Sequence, residues 1–259
     1  MKKEIIKEEE KGHVFSEAGH VHKLDGKRLT GVTTVLGTLD KPFLLPWAAR
    51  MTAKYIEENA NPIYHGSDLL YYEVQPKLLE ESKKAYIKVR DNAGAKGTDT
   101  HAIIEEIIND VIANSGGYIR SGKNSNKQVQ KFIDWSIENK VKFLASEKLV
   151  HSRELWIGGI CDFICEIDGK RVIGDIKTGK VISPSYYWQT SAYDFCLNEM
   201  GDGLAGRYVI LRLGKDEVDK EGNVIREGTF EVGENFAYED NISGFTSLLN
   251  VYRKINLIK

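Results

Sequence analysis

The sequence predicts an α/β fold, with a mixed central sheet flanked by helices and an N-terminal helical lobe. Three observations predict it: helical periodicity dominates residues 41–143, strand-like apolar runs dominate the part that follows, and an Asp-Gly turn joins two of these runs. A helical half followed by the order β-β-β-α-β is typical of a layered α/β core. We expect a single domain over residues 1–259, with an N-terminal segment at 1–40, the helical lobe at 41–143 and the α/β core at 144–259.

The individual elements follow from periodicity and turn signals. Residues 12–36 alternate in polarity around Asp25-Gly26, which predicts a small N-terminal hairpin. A helix is predicted to begin near Pro46, because proline is favoured in the first turn of a helix. Further helices are predicted at residues 67–91, 97–114, 125–143, 184–199 and 236–256, with a glycine-rich loop at 115–126. Strands are predicted at residues 144–151, 158–167, 170–177, 207–213 and 228–232.

Composition limits the location and the partners. The chain has no run of 18 apolar residues, and its start, MKKEIIKEEEK, lacks the apolar region of a signal peptide, so we expect a cytoplasmic protein without membrane contact. A net charge of −2 disfavours a tight, sequence-independent coat on nucleic acid but allows a local grip on DNA. His13 and the HVH segment at 20–22 are predicted to be surface histidines. Three cysteines without a CxxC pair are predicted to be free, with no disulfide or zinc: Cys161, Cys165 and Cys196.

The segment GGICDFICEIDGKRVIGDIKTGK, at residues 158–180, carries aspartates inside two apolar runs. If Asp168-Gly169 forms a two-residue type I′ turn, Asp162 lies opposite Asp175, and Lys177 shares their face. The opposite face is predicted to be core and collects Cys161, Phe163, Cys165, Val172 and Ile176. Facing carboxylates repel each other, and a divalent cation bound between them would remove that repulsion. The alternative is a frayed, solvated hairpin.

Other polar residues are predicted to converge on this hairpin. His101 and Glu105 lie four residues apart on one helix face, and histidine is the commonest nitrogen ligand of metals. Gln189 and Tyr193 have the same spacing on the helix after the hairpin, where they could bind phosphate or orient the lysine. Glu147 lies on the strand that leads into the hairpin. For each of these residues, an ordinary structural role is the alternative.

The ordered set of these motifs resembles the PD-(D/E)xK nuclease superfamily. A helical His101, Asp162, the DIK of 175–177 and the QTSAY of 189–193 are similar to the motifs of its RecB-like, phage-type exonuclease branch, GxxD, D-x-K and Q-x-x-x-Y. That branch includes the CRISPR-associated adaptation nucleases and the mitochondrial genome maintenance exonuclease. The resemblance covers residues 97–195, with weaker similarity over 31–50. Each motif is short, so the order of the set carries the resemblance.

The resemblance implies a restriction-endonuclease-like core and a role for each matching residue. Asp162, Asp175, His101 and the carbonyl of Ile176 would hold Mg²⁺ or Mn²⁺, and Lys177 would orient or activate the attacking water and offset charge on the phosphate. The implied catalytic set is Lys177, Asp175, Asp162 and Gln189. The implied DNA-binding set is Gln189, Tyr193 and Lys180, with Glu105 and Glu147 as candidate additions. An iron–sulfur cluster, which some relatives hold with cysteines near both ends, is not expected, since no cysteine precedes residue 161 or follows residue 196.

The expected function is therefore that of a metal-dependent DNA exonuclease in phage or mobile-element recombination or repair. A helical lobe over the site, with aromatic residues such as Trp47, Tyr71 and Tyr72 to stack on bases, predicts degradation from free ends and a preference for single strands. DNA is the expected partner, together with a recombination or single-strand-binding protein. The alternatives are a structure-specific flap endonuclease on the same core and a catalytically silent DNA-binding module.

Overall fold

The computed structural model describes residues 6–8, 12–17, 19–39, 41–214, 216–218 and 223–257, without the side chains of 6–8, 70, 92–99, 217 and 218. It divides into one unit formed by residues 1–38 and 100–259 and a second formed by residues 39–99. None of the described helices is long and apolar enough to cross a membrane.

The strands are β1 (Ile6–Glu8), β2 (His13–Ser16), β3 (Val21–Leu24), β4 (Lys27–Arg28), β5 (Thr30–Gly31), β6 (Asn61–His65), β7 (Asp68–Glu73), β8 (Lys142–Ser152), β9 (Ile157–Ile167), β10 (Lys170–Lys177), β11 (Tyr208–Leu213), β12 (Glu217–Val218), β13 (Val224–Arg226) and β14 (Phe230–Asn235). The helices are α1 (Val32–Leu36), α2 (Leu44–Asn59), α3 (Pro76–Ser82), α4 (Ala85–Asn114), α5 (Lys127–Glu138), α6 (Pro184–Glu199) and α7 (Tyr238–Leu257).

The larger unit is an α/β structure around a mixed, six-stranded sheet. Its strand order is β14-β11-β10-β9-β5, and β8 also pairs with β9. The β10–β11 and β5–β9 pairs are parallel, and the other pairs are antiparallel. Helix α6 connects the parallel strands β10 and β11, as a crossover between parallel strands requires. This confirms an α/β core with a mixed sheet flanked by helices.

Helices bury both faces of this sheet in two apolar clusters. One cluster joins α5 and the part of α4 after residue 100 to β9, β10 and β11, with Phe132, Phe143 and Phe163 among its largest side chains. The other joins α1, α6 and α7 to the opposite face and includes Tyr193, Tyr208 and Phe245. The aspartate-bearing face of the hairpin is therefore covered as well. Because this face is covered, each carboxylate depends on specific protein partners instead of solvent.

The predicted hairpin is confirmed in its register. Asp168 and Gly169 both have positive φ, 54° and 69°, as a type I′ turn requires. Strand β9 pairs with β10 from Ile167 opposite Lys170 to Phe163 opposite Gly174. The ladder ends one position before Asp162 and Asp175. The two carboxylates therefore lie where the two strands begin to separate.

The alternation of side chains along β9 slips by one residue at Asp162. Ile157 and Cys161 before it and Ile164 after it all belong to the cluster with α6, although strict alternation would put Ile164 on the other face. The prediction that Cys161 shares a face with Phe163 is therefore wrong. The slip lies opposite Glu147 of β8, which has a left-handed φ of 48°. Such irregularities are frequent next to active sites, where they re-aim side chains.

In the second unit, residues 39–99, the predicted helix at 67–91 is confirmed by α3 and the start of α4, but its first part is the strand β7. Strands β6 and β7 form an antiparallel hairpin there, turning at Gly66, whose φ is 61°. The apolar run of β7 has aromatic residues that favour strands, and its short length made helix and strand hard to separate by periodicity. The helix predicted at 97–114 is the second half of the longer α4. At the N-terminus, the Asp25-Gly26 turn is confirmed, but the predicted hairpin region ends in a short helix, α1.

Candidate active site

Four elements bring the predicted site residues together. Asp175 and Lys177 lie at the end of β10, Asp162 lies beside them on β9, and α6 and α4 contribute the remaining side chains. Helix α6 begins directly after a short loop from β10. Pro184 occupies its first turn, and the Ser183 side chain accepts a hydrogen bond from the Ser185 amide, so the start of the helix is fixed.

Asp175 is fully buried and is held by α6 and by Lys177. Its Oδ1 accepts a hydrogen bond from Nε2 of Gln189 at 3.2 Å, and the same nitrogen donates to the Tyr193 hydroxyl at 2.9 Å. Its Oδ2 lies 2.5 Å from Nζ of Lys177 as an ion pair, although the angles are not those of a good hydrogen bond. A buried carboxylate needs such partners to remain charged.

Asp162 has a different environment from Asp175. Its Oδ2 accepts a hydrogen bond from the Ile176 amide at 2.8 Å and lies 3.8 Å from Nδ1 of His101. Burial and the charge of Asp175 raise the pKa of Asp162 well above its usual value, although Lys177 and the Ile176 amide act in the opposite direction. The resemblance implied a carbonyl role for Ile176. The contact seen here is made by its amide, which holds the carboxylate in place.

Lys177 is the cation of the site. Burial opposes its charged form, but the charges of Asp175 and Asp162 outweigh burial and raise its pKa, so the ammonium is charged at neutral pH. Its Nζ also lies 5.0 Å from the centre of the Tyr186 ring. The prediction that Lys177 lies beside the two aspartates is borne out by these contacts.

Three further candidates were predicted from the sequence, and one of them, Glu147, acts on this group. Glu147 is close enough to Asp162 for its charge to raise the pKa of that carboxyl. Glu105 follows His101 by about one turn of α4 and is half-buried. Lys180 is exposed in the loop after β10, three residues beyond Lys177.

Gly159 is a residue whose role sequence reasoning missed. A Cβ at this position would overlap the ring of Tyr193, so the glycine lets the helix side chain lie directly against β9. Tyr187 and Trp188 also lie against glycines, Gly233 of β14 and Gly244 of α7. The glycine of the GxxD pattern and the tyrosine of the Q-x-x-x-Y pattern are therefore in contact, and one turn before that tyrosine Gln189 donates to Asp175.

Tyr186 is the second residue that was missed. It precedes Gln189 by three positions, which places the two side chains on one face of α6. In the run YYWQTSAYDF, Tyr186 is one of several aromatic residues, and Tyr187 and Trp188 beside it pack against glycines. The spacing to Gln189 is the signal that was available.

The donor set fits a hard divalent cation. Asp162 and Asp175 offer carboxylate oxygens, and His101 offers an imidazole nitrogen close to Asp162. Mg²⁺ is commonly held by one or two carboxylates and keeps several of its waters, so a complete cage of side chains is not needed. Among the described residues, no three His, Cys, Asp or Glu side chains form a ready-made ligand set.

No protein-family model matches the chain, and no curated protein matches it.

Proposed function

We propose that this chain is a divalent-metal-dependent deoxyribonuclease that hydrolyses phosphodiester bonds. The observation that carries the proposal is the pair Asp162 and Asp175 at the point where β9 and β10 separate, with a charged lysine 2.5 Å from Asp175. The motifs that resemble the PD-(D/E)xK superfamily converge on this point. We further infer a restriction-endonuclease-like core, which agrees with the β9–β10–α6–β11 order.

Each residue has a distinct part in the proposed reaction. Asp162 and Asp175, with His101 beside them, would hold Mg²⁺ or Mn²⁺, which when bound lowers the pKa of water and stabilises charge on the phosphate. Because Lys177 is protonated at neutral pH, it suits electrostatic stabilisation of the phosphate and orientation of the water better than it suits proton removal. Gln189 and Tyr193 keep Asp175 oriented.

The proposal also specifies which form of DNA is the substrate. We infer an exonuclease that favours single-stranded DNA in phage or mobile-element recombination or repair in the cytoplasm, with a recombination or single-strand-binding partner. Within residues 39–99, Tyr64 and Tyr71 on the β6–β7 hairpin are 57% and 60% exposed and offer faces for base stacking. Trp47 instead packs edge-on against Tyr86. Lys180 is an exposed cation in the loop beyond the site and suits a phosphate contact.

The test compares linear single-stranded DNA with covalently closed circles of the same sequence in Mg²⁺ and in Mn²⁺. The wild-type protein should degrade the linear strand and spare the circle. Equal cleavage of both would replace the exonuclease with a flap-type endonuclease. DNA binding without cleavage of any substrate would indicate a silent binding module.

Two variants connect any activity to this site. Asp175→Asn and Lys177→Met should each lower the cleavage rate by at least a hundredfold, the scale on which loss of a charge-stabilising group acts. Lys142→Met is the matched control. This lysine also forms an ion pair, at 3.1 Å with Glu166, but it lies at the other end of the hairpin. Undiminished cleavage by Asp175→Asn would show that the activity resides elsewhere.

A further inference from the structure

We propose that Tyr186 is a positioning residue for Lys177: its ring face holds the lysine ammonium at the site while DNA is bound. This inference rests on the proposed nuclease function. It adds a residue outside the set of matching motifs and gives it a defined task.

The contact itself is a cation over an aromatic face. Nζ of Lys177 lies 5.0 Å from the centre of the Tyr186 ring, within the distance at which such attraction is significant. The lysine side chain is 20% exposed, so solvent weakens the attraction only in part. The same ammonium forms an ion pair with Oδ2 of Asp175 at 2.5 Å. The lysine is thus in contact with both a carboxylate and a ring.

The backbone under Tyr186 is fixed by its neighbours. The Tyr186 amide donates to the Ser183 carbonyl at 3.0 Å, and the Tyr186 carbonyl accepts from the Thr190 hydroxyl at 3.2 Å. One turn along, Gln189 donates to Asp175. A single face of α6 therefore holds the carboxylate through Gln189 and the ammonium through Tyr186.

A ring suits this task better than a second carboxylate would. The lysine stem has several rotatable bonds, and Asp175 is also a proposed ligand of the cation, so the ion pair alone gives incomplete control of the ammonium. An aromatic face attracts the ammonium without adding negative charge beside Asp162 and Asp175. It therefore leaves the carboxylates available and restricts the lysine.

The test uses three variants and two measurements. Tyr186→Phe keeps the ring, Tyr186→Leu removes it, and Tyr187→Leu removes the neighbouring aromatic ring of the same helix, which packs against Gly233. The first measurement is the proton NMR shift of the Lys177 ε-methylene in metal-free protein. A ring-current shift should be present in the wild type, Tyr186→Phe and Tyr187→Leu and absent in Tyr186→Leu.

The second measurement is the single-turnover cleavage rate of a linear single-stranded oligonucleotide in Mg²⁺, with DNA affinity measured in Ca²⁺. Tyr186→Leu should cleave about tenfold more slowly than the wild type, within the range expected for loss of a cation–π contact, with affinity changed less than twofold. Tyr186→Phe should cleave at the wild-type rate. Slow cleavage by Tyr186→Phe, or an equal loss in Tyr187→Leu, would overturn the proposal.

The failure of this inference is distinguishable from failure of the proposed function. If the wild-type protein cleaves no DNA, the nuclease proposal fails, and the NMR shift alone then decides whether Tyr186 holds Lys177. If the wild type cleaves DNA and Tyr186→Leu cleaves it equally fast, the nuclease proposal stands and the positioning role is refuted.

Discussion

Lowering the pH should destabilise the protein strongly through two buried histidines near the N-terminus. His13 of β2 is fully buried and His22 of β3 is 7% exposed, with Nε2 of His13 3.1 Å from Nδ1 of His22. The ring of His151, from β8, lies edge-on to His13 with a centroid distance of 5.2 Å. Burial and the charges of His22 and His151 lower the pKa of His13 to about 3. Burial and the charge of His20 lower the pKa of His22 to about 4.

The sign and the magnitude follow from linkage. Both side chains titrate near 6.5 in the unfolded chain, so below that pH the unfolded state binds more protons and stability falls as the pH falls. A pH of 5 is about 1.5 pH units below the unfolded-state pKa. Protonation of each histidine at that pH therefore stabilises the unfolded state by about 2 kcal/mol. The two together predict a loss of about 4 kcal/mol between pH 8 and pH 5, a large part of the stability of an ordinary domain. The loss continues until the pH reaches the folded-state pKa values.

The assay is guanidinium unfolding at pH 8, 6.5 and 5. Carboxylates also contribute to this pH dependence, so the informative quantity is the difference between the wild type and the double variant His13→Leu/His22→Leu. The wild type should lose about 4 kcal/mol more than the double variant between pH 8 and pH 5. His65→Gln is the control, since His65 is exposed and its charge does not act on His13 or His22. An identical pH dependence in the wild type and the double variant would refute the reasoning.

Two further predictions test the site and its support. Gly159→Ala should destabilise the protein by about 1–3 kcal/mol and lower nuclease activity, because its Cβ would overlap the Tyr193 ring. Gly122→Ala, whose Cβ would meet Ile133 at an ordinary 3.6 Å, is the control, and an equal effect in chemical denaturation would contradict the packing argument. In metal-free protein, Asp162→Asn should raise stability by about 0.5–1.5 kcal/mol by removing charge repulsion, and Asp175→Asn should lower it by about 1–3 kcal/mol by leaving Lys177 without its ion pair. Denaturation in EDTA checks both signs, and equal shifts in the two variants would show that the carboxylates are equivalent.

The last of these predictions reverses an expectation from the sequence. From the repulsion between facing carboxylates alone, removal of either one, Asp175 included, is expected to stabilise the metal-free protein. The ion pair of Asp175 with Lys177 and its bond from Gln189 make it the compensated member of the pair. Asp162 has the raised pKa, so relief is expected there instead. Register gave the position of each carboxylate, but only the three-dimensional contacts show which one is neutralised.

Local rules explain what could be predicted from the sequence. The Asp168-Gly169 turn fixes the register of β9 and β10, and Gln189 and Tyr193 follow from helical spacing, so these parts of the site were predictable. The β6–β7 hairpin was not, because a short apolar run with aromatic residues fits a helix or a strand equally well. The prediction of surface histidines was wrong for His13 and His22, since their burial depends on contacts with β8 and β9, distant in the chain.

The slip of β9 at Asp162 could not be predicted from local rules either, because it also depends on contacts between strands. It affects the candidate site more directly than the burial of the histidines does. Under strict alternation, the position of Asp162 in β9 would by itself decide on which face of the sheet its side chain lies. Instead, the strand is irregular opposite the strained backbone of Glu147, and the carboxylate bonds to the Ile176 amide and approaches His101. Strain of about 1–3 kcal/mol at a non-glycine residue with positive φ persists when surrounding contacts hold it. Here those contacts are the β8–β9 pairs on both sides of Glu147. The Asp162 carboxylate lies at this point of the two strands, close to His101 of α4.

The order of α6 side chains explains why the site can exist before any cation binds. Tyr193 lies against Gly159 and sets the depth of the helix, and Gln189, one turn before it, reaches Asp175. Tyr186, one turn before that, faces the ammonium of Lys177, which forms an ion pair with the same carboxylate. Because each contact positions the next, a substitution at Gly159 should change the position of the Lys177 side chain, although the two residues belong to different strands. For this reason Gly159→Ala should also remove the ring-current shift of Lys177 in metal-free protein. A variant that keeps the full shift while losing stability would show that the packing of α6 and the position of the lysine are independent.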